Sequence, residues 1–265
     1  MKKLIIVSLV FSSLFYGCSQ DGTFEDPNPS RKRIETVSTD SDLEYRFDYD
    51  DRNQVERITR LLDGSIDVVE FYTYSDGLLS EAKFVYENRS DNINFIQRNY
   101  AYGGGELLEI ITTISENNQQ RQTSRYHNIQ RANGRFISYE LGYYDEEGNE
   151  LEEFEEFVEL EYEANNLSQI TSYNLDSLGS RFVFSSETFT YDDKKNPFRN
   201  VHSSWVFGPD FFSENNVTFY SYKSEFTEWT EESDYEYKGK WPESRVSVFT
   251  TGGNTSIVKY DYKYK

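Results

Sequence analysis

The sequence predicts an all-β protein: repeated antiparallel β-hairpins in a meander, forming an open curved sheet or a partial barrel. Three observations carry that expectation. Aromatic residues make up 17% of the 265 residues, with 22 Tyr and 20 Phe, and such side chains suit a pleated, half-buried surface. Tyr-x-Tyr alternations recur, and alternation places both rings on one face of a strand. Turns rich in Asn, Asp and Gly follow them, which supply the positive φ of tight hairpins.

The N-terminus is a different kind of segment. Lys2 and Lys3 precede an apolar stretch from Leu4 to Tyr16, interrupted by Ser8, Ser12 and Ser13. Those 13 residues would reach about 20 Å as a helix, short of the ~30 Å hydrocarbon core of a bilayer. Residues 1–17 therefore read as a signal peptide rather than a permanent span. The stretch Leu14-Phe15-Tyr16-Gly17-Cys18 resembles a bacterial lipoprotein lipobox. The resemblance implies that Cys18, the one Cys of the chain, becomes the lipidated first residue and binds the protein to a membrane. Residues 18–33 then read as the lipidated Cys and a flexible tether containing Gly22, Pro27, Pro29 and Ser30. A flexible coil of this length spans about 21 Å r.m.s.. Asp21, Glu25 and Asp26 resemble the surface-export signals of Bacteroidota lipoproteins. That implies an outer-membrane protein facing the cell surface, with a periplasm-facing one as the alternative.

Residues 34–265 read as a single β domain in which one local pattern recurs: an aromatic strand end, a polar turn, then an apolar residue. Tyr45-Arg46-Phe47-Asp48-Tyr49 leads through Asp50 to Gln54 into Val55 and Ile58. Phe71-Tyr72-Thr73-Tyr74 leads through Ser75-Asp76-Gly77 to Leu78. Tyr100-Ala101-Tyr102 precedes Gly103-Gly104-Gly105 and Leu107, and Tyr162 precedes Asn165-Asn166 and Leu167. Tyr144-Asp145 and Tyr191-Asp192 open further copies, and Tyr235-Glu236-Tyr237 and Tyr260-Asp261-Tyr262 close the series. The pattern resembles the YD-repeat style, and in particular the YD-like lipoproteins of Bacteroidota. That resemblance implies hairpins repeated along antiparallel strands and no particular activity.

Charge and composition exclude several functions. The chain carries 27 Lys+Arg against 47 Asp+Glu, a formal charge of −20, whereas nucleic-acid binding requires a basic footprint. A lone Cys excludes a disulfide framework or a Cys-based zinc site. The two His residues, His127 and His202, read as incidental surface or strand positions. Neither a G-x-S-x-G elbow nor an H-E-x-x-H helix occurs, so no catalytic residue is assigned and no cofactor is expected.

Two constellations stand out as candidate sites. Trp205, Trp229 and Trp241, with Phe211 and Phe212, would form an aromatic binding platform if exposed, and part of the core if not. Residues 145–161 hold ten acids and no base. Within them Asp145, Glu147 and Asn149 loosely approximate the spaced oxygen ligands of a calcium loop. The alternative there is a solvated hairpin tip with Val158, Leu160 and Tyr162 turned inward.

The leading expectation is a non-catalytic lipoprotein that binds or scaffolds a protein or glycan partner. The alternatives are a carrier or chaperone of a hydrophobic ligand, a lipid, in a curved aromatic-lined sheet, a glycosidase-like enzyme, and an immunity protein that meets a basic toxin. Cys18→Ser is expected to move the protein from the membrane fraction to the soluble fraction of its host. Retention of the variant in membranes would remove the lipid anchor.

Overall fold

A computed structural model describes residues 33–87, 93–117, 119–151, 155–175, 180–199, 201 and 208–265. The signal peptide, Cys18 and the tether lie outside the described residues, apart from Arg33. The first four strands are β1 (Ile34–Thr39), β2 (Leu43–Tyr49), β3 (Val55–Leu62) and β4 (Ser65–Ser75). They are followed by β5 (Leu78–Tyr86), β6 (Ile93–Gly103), β7 (Glu106–Glu116) and β8 (Gln119–Ala132). Next come β9 (Arg135–Tyr143), β10 (Glu156–Glu163), β11 (Asn166–Leu175) and β12 (Arg181–Tyr191). A short helix α1 (Pro209–Phe212) precedes β13 (Val217–Ser224), β14 (Glu228–Lys238), β15 (Trp241–Thr251) and β16 (Asn254–Tyr264).

The expected antiparallel meander is present, but the expected open sheet is not. Each strand pairs with its sequence neighbour, and β1 pairs with β16, so the sheet closes into a full barrel. Ile34 lies opposite Tyr264 and Thr39 opposite Tyr260, and Arg33 and Lys265 exchange backbone hydrogen bonds beyond them. The physical reason is that an open sheet leaves two edges of unpaired N–H and C=O groups, which closure removes.

Strand alternation gives the barrel two ends. The near end holds both termini, the β12–β13 connection and every second turn; the far end holds the others. Two near-end turns, Asp76-Gly77 and Asn133-Gly134, have positive φ at both residues, as a type I′ hairpin requires.

The near end is built on a repeated contact. Tyr49 lies opposite Val55, Tyr74 opposite Leu79, Tyr102 opposite Leu107 and Tyr162 opposite Leu167. Tyr191 faces Val217, Tyr237 faces Pro242 and Tyr264 faces Ile34. A register shift accompanies each of these seven pairs. A bulge interrupts the ladder and sharpens the local twist, and tyrosine hydroxyls supply hydrogen bonds there. Tyr49 OH donates to the Ile34 carbonyl at 3.0 Å, Tyr74 OH to that of Val55 at 2.9 Å, and Tyr264 OH to that of Pro242 at 2.7 Å. Tyr191 OH donates to the carbonyl of Leu167. Each hydroxyl thus fastens one hairpin to its neighbour. In the β8–β9 hairpin the roles change: Arg131 pairs with Phe136, and its guanidinium sits 4.1 Å over that ring.

The described parts of the β12–β13 connection pack inside the near end. Phe198 packs on Phe47 of β2 and Tyr262 of β16, while Phe212 packs on Phe136 of β9 at 5.5 Å. Buried Asn196 holds the segment together, donating to the carbonyls of Asp210 at 2.7 Å and Ser213 at 3.0 Å. The Ser213 hydroxyl accepts from the Leu167 N–H at 3.1 Å, and Asn166 Oδ1 accepts from the N–H groups of Glu214 and Asn215. Above this plug the apolar interior forms two clusters. One centres on Val37, Phe47, Leu79 and Phe84, the other on Ile110, Val158, Leu167 and Phe189.

Removing the Asn196 amide leaves two carbonyls without their buried donor, at about 1–3 kcal/mol each. Asn196→Ala is therefore expected to lower unfolding stability by about 2–6 kcal/mol, whereas Tyr74→Phe should lose about 1 kcal/mol. Urea denaturation checks both, and equal effects would show that the plug is not the stronger restraint.

Candidate binding mouth at the far end

Beyond the apolar layers the interior becomes polar, because several inward positions of the alternation are charged. Glu70 follows the inward face of Val68 and Tyr72 on β4, Glu156 that of Val158 on β10, and Glu187 that of Phe189 on β12. Each accepts a tyrosine hydroxyl: Tyr72 at 2.5 Å, Tyr143 at 2.8 Å and Tyr220 at 2.6 Å respectively. Burial pushes all three carboxyls above their ordinary value, and the tyrosine bonds only partly offset it. Across the lumen, the Arg245 guanidinium stands 3.9 Å over the Tyr260 ring, and one of its nitrogens is 3.9 Å from Glu231. A cavity of about 60 Å³ lies between α1 and Phe189, Tyr220, Glu231 and Arg245.

The far mouth is aromatic inside and apolar at its rim. The Trp229 ring meets Tyr220 edge-on at 4.5 Å and stacks with Tyr222 at 6.2 Å. Beside it, Phe226 at the β13–β14 turn is 80% exposed. Phe226 and Trp229, with Thr251 and Gly252, line an open concavity of about 500 Å³. Leu62, Ile66, Leu175, Phe182, Val183 and Ile257 continue the exposed apolar set. All lie within a few residues of far-end turns. With Phe226 they are seven of the nine large apolar side chains exposed among the described residues, so the exposure is concentrated at one end.

Of the candidate aromatic platform, the structure describes Trp229, Trp241 and Phe212, and it does not bring these three together. Trp229 and Trp241 face opposite ends, because Trp229 pairs with Thr251 and Trp241 with Lys238 in the β14–β15 register. Ten residues of strand separate them, about 33 Å. Trp241 packs on Tyr264 at the near end, and Phe212 belongs to the plug. Trp205 and the Phe211 side chain lie outside the described residues.

The Asp145 loop closes on itself. Asn149 donates its backbone N–H to Asp145 Oδ1 at 2.8 Å and its side-chain amide to Oδ2 at 2.9 Å. These bonds, the side-chain one foremost, hold the Asp145 carboxyl below its ordinary range. Glu147 is exposed at the tip. The bonding is that of a capped turn.

His127, read from the sequence as a surface or strand position, lies on β8. It lies directly opposite Glu140 in the β8–β9 pair and close to Glu155. The Asn133-Gly134 turn was the available signal, since counting outward from it pairs 127 with 140.

No family model matches this chain, and no curated protein matches it. Among solved structures, a porin-like protein from Bacteroides vulgatus aligns with a TM-score of 0.52 at 9% identity, over 88% of this chain and 99% of that one. A porin-like protein from Bacteroides uniformis aligns with a TM-score of 0.51 at 12% identity, over 88% and 98%. The barrel fold is shared. At such identity the likeness extends to architecture alone, and the YD-repeat resemblance gains no support from it.

The buried carboxyls give stability a definite pH dependence. Their folded pKa values lie above the ordinary 4.5, so the folded state holds more protons than the unfolded one. Their contribution is fully favourable below pH 4.5 and is lost as pH rises through the raised values. The triple variant E70Q/E156Q/E187Q is expected to flatten the fall in urea midpoint between about pH 4 and pH 7. An unchanged slope would mean that these groups are solvated.

Proposed function

We propose that this chain is a non-catalytic lipoprotein, anchored to the outer membrane through Cys18, whose barrel offers its far mouth to a protein partner. The observation that carries the reading is the split of polarity between the outer wall and the far rim. On β14, Glu232, Asp234, Glu236 and Lys238 are exposed outward, as are Lys259, Asp261 and Lys263 on β16. Strands of 11 residues are long enough to cross a bilayer. Yet each Lys or Arg at mid-membrane on the lipid face costs about 2–4 kcal/mol. Such a wall favours a barrel standing in water, with the lipid doing the anchoring.

The described residues begin at the near end, so an anchor through Cys18 would attach the barrel at the end opposite the apolar far rim. Exposed apolar side chains concentrated at one end of the barrel favour a partner interface there. The aliphatic members of the rim favour protein over glycan, and one face of Trp229 is already covered by Tyr222. A pore is disfavoured by the plug and the packed clusters. A lipid carrier is disfavoured because the cavity beside α1, of about 60 Å³, is far below the ~300–1,000 Å³ of small-molecule sites, and the larger concavity at Phe226 and Trp229 is open to solvent rather than enclosed.

A photo-crosslinking amino acid placed at Phe226, and separately at Lys263, tests the proposal in the native host. The expected result is a discrete protein adduct from position 226 and none from 263. A carbohydrate adduct at 226 would replace the protein partner by a glycan, and equal labelling at both positions would overturn the assignment of the mouth.

A further inference from the structure

We propose that the outer wall carries a divalent transition-metal site, built from His127 with Glu150 and Glu155 and oriented by Glu140. The inference is independent of the far mouth. His127 on β8 and Glu140 on β9 are direct cross-strand partners, and both point outward because their neighbours Tyr126 and Tyr139 pack inside. Glu155 arrives from the end of the β9–β10 excursion, so the cluster joins two strands and a loop. One ligand atom from each of His127, Glu140 and Glu155 lies within 4.8 Å of the others.

The imidazole is addressed on both sides. Its Nδ1 is 3.6 Å from Glu140 Oε2, and its Nε2 is 3.4 Å from Glu155 Oε1. The His127 side chain is only 17% exposed, and Nε2 is shielded from solvent with no hydrogen-bond partner. A separation of 3.4 Å is also the edge expected between two ligands about 2.0–2.1 Å from a tetrahedral zinc ion.

Gly142 provides the space. A Cβ at that position would fall 2.9 Å from Glu150 Oε1 and 3.8 Å from His127 Nε2, so a third carboxylate borders the same gap. The Tyr144–Glu150 bridge and the Leu151 N–H donating to the Tyr143 carbonyl at 2.8 Å hold that loop against the wall.

The parts divide by role. Nε2 and the carboxylates of Glu155 and Glu150 are the ligands, leaving a position for water. Glu140 Oε2 faces Nδ1 at 3.6 Å, so it favours a proton on that nitrogen and hence the tautomer that presents Nε2 as a lone pair, the carboxylate–histidine–metal arrangement. The Asn128 amide in turn donates to Glu140. One imidazole can neutralise at most one of the three carboxylates, and a divalent ion balances more of the charge. Imidazole with carboxylate suits zinc and its first-row neighbours rather than calcium.

Titration of the purified full-length protein with Zn²⁺ alone, followed by calorimetry, tests the site. One ion per chain is expected, with His127→Gln and Glu155→Gln each weakening binding by about 100-fold or more, and Glu140→Gln by about 10–100-fold. Co²⁺ loading should give the visible absorption of a low-coordinate nitrogen–oxygen site in the wild type and lose it in His127→Gln. Circular dichroism and thermal unfolding of the metal-free variants confirm that the barrel is intact. Binding that survives His127→Gln in a folded protein, or no binding by the wild type, would overturn the proposal.

Discussion

The structure depends on the pairing of its first strand with its last. Without it the chain would be a wide sheet with two bare edges; with it every strand has two partners. Closure also creates a problem that shorter barrels avoid, because sixteen strands enclose more space than wall side chains fill easily. The chain answers with tyrosine and phenylalanine, which reach far from the wall, and with the β12–β13 connection folded inward. The high aromatic content is thus a consequence of lumen width.

The tyrosine ring shows how one residue type meets several demands. At four of the near-end bulges, those of Tyr49, Tyr74, Tyr191 and Tyr264, the ring covers an apolar neighbour while its hydroxyl reaches a backbone carbonyl of an adjoining strand. Phenylalanine would supply the area without the bond. The interior carboxylates use tyrosine the same way, as a donor carried on an apolar body. Polar groups inside this barrel are therefore tolerated rather than solvated, and their raised pKa values record the cost.

The hairpins were legible in the sequence because their signals are local: alternation, then a turn, then an apolar residue within a few positions. Closure was not, because nothing in Ile34–Thr39 or Asn254–Tyr264 marks them as partners across more than two hundred residues. The tryptophans misled for a related reason. Trp229 and Trp241 are close in sequence, but a hairpin turn lies between them and sends them to opposite ends. His127 is the converse case, where thirteen residues of separation become direct apposition once the Asn133-Gly134 turn is placed. In the acidic run, the alternation that turned Val158 and Leu160 inward also carried Glu156 inside.

The Ile34–Tyr264 register has a kinetic meaning as well. Its loop-closure entropy is the largest in the molecule, and contacts of such sequence separation form late. The sheet can grow hairpin by hairpin as the chain emerges, yet the seam waits for the final strand. Until then both margins of the nascent sheet are adhesive templates for other chains. A chain that lost only its last eleven residues would keep nearly all of its hairpins and remain permanently in that adhesive state, so the integrity of the C-terminus guards against aggregation.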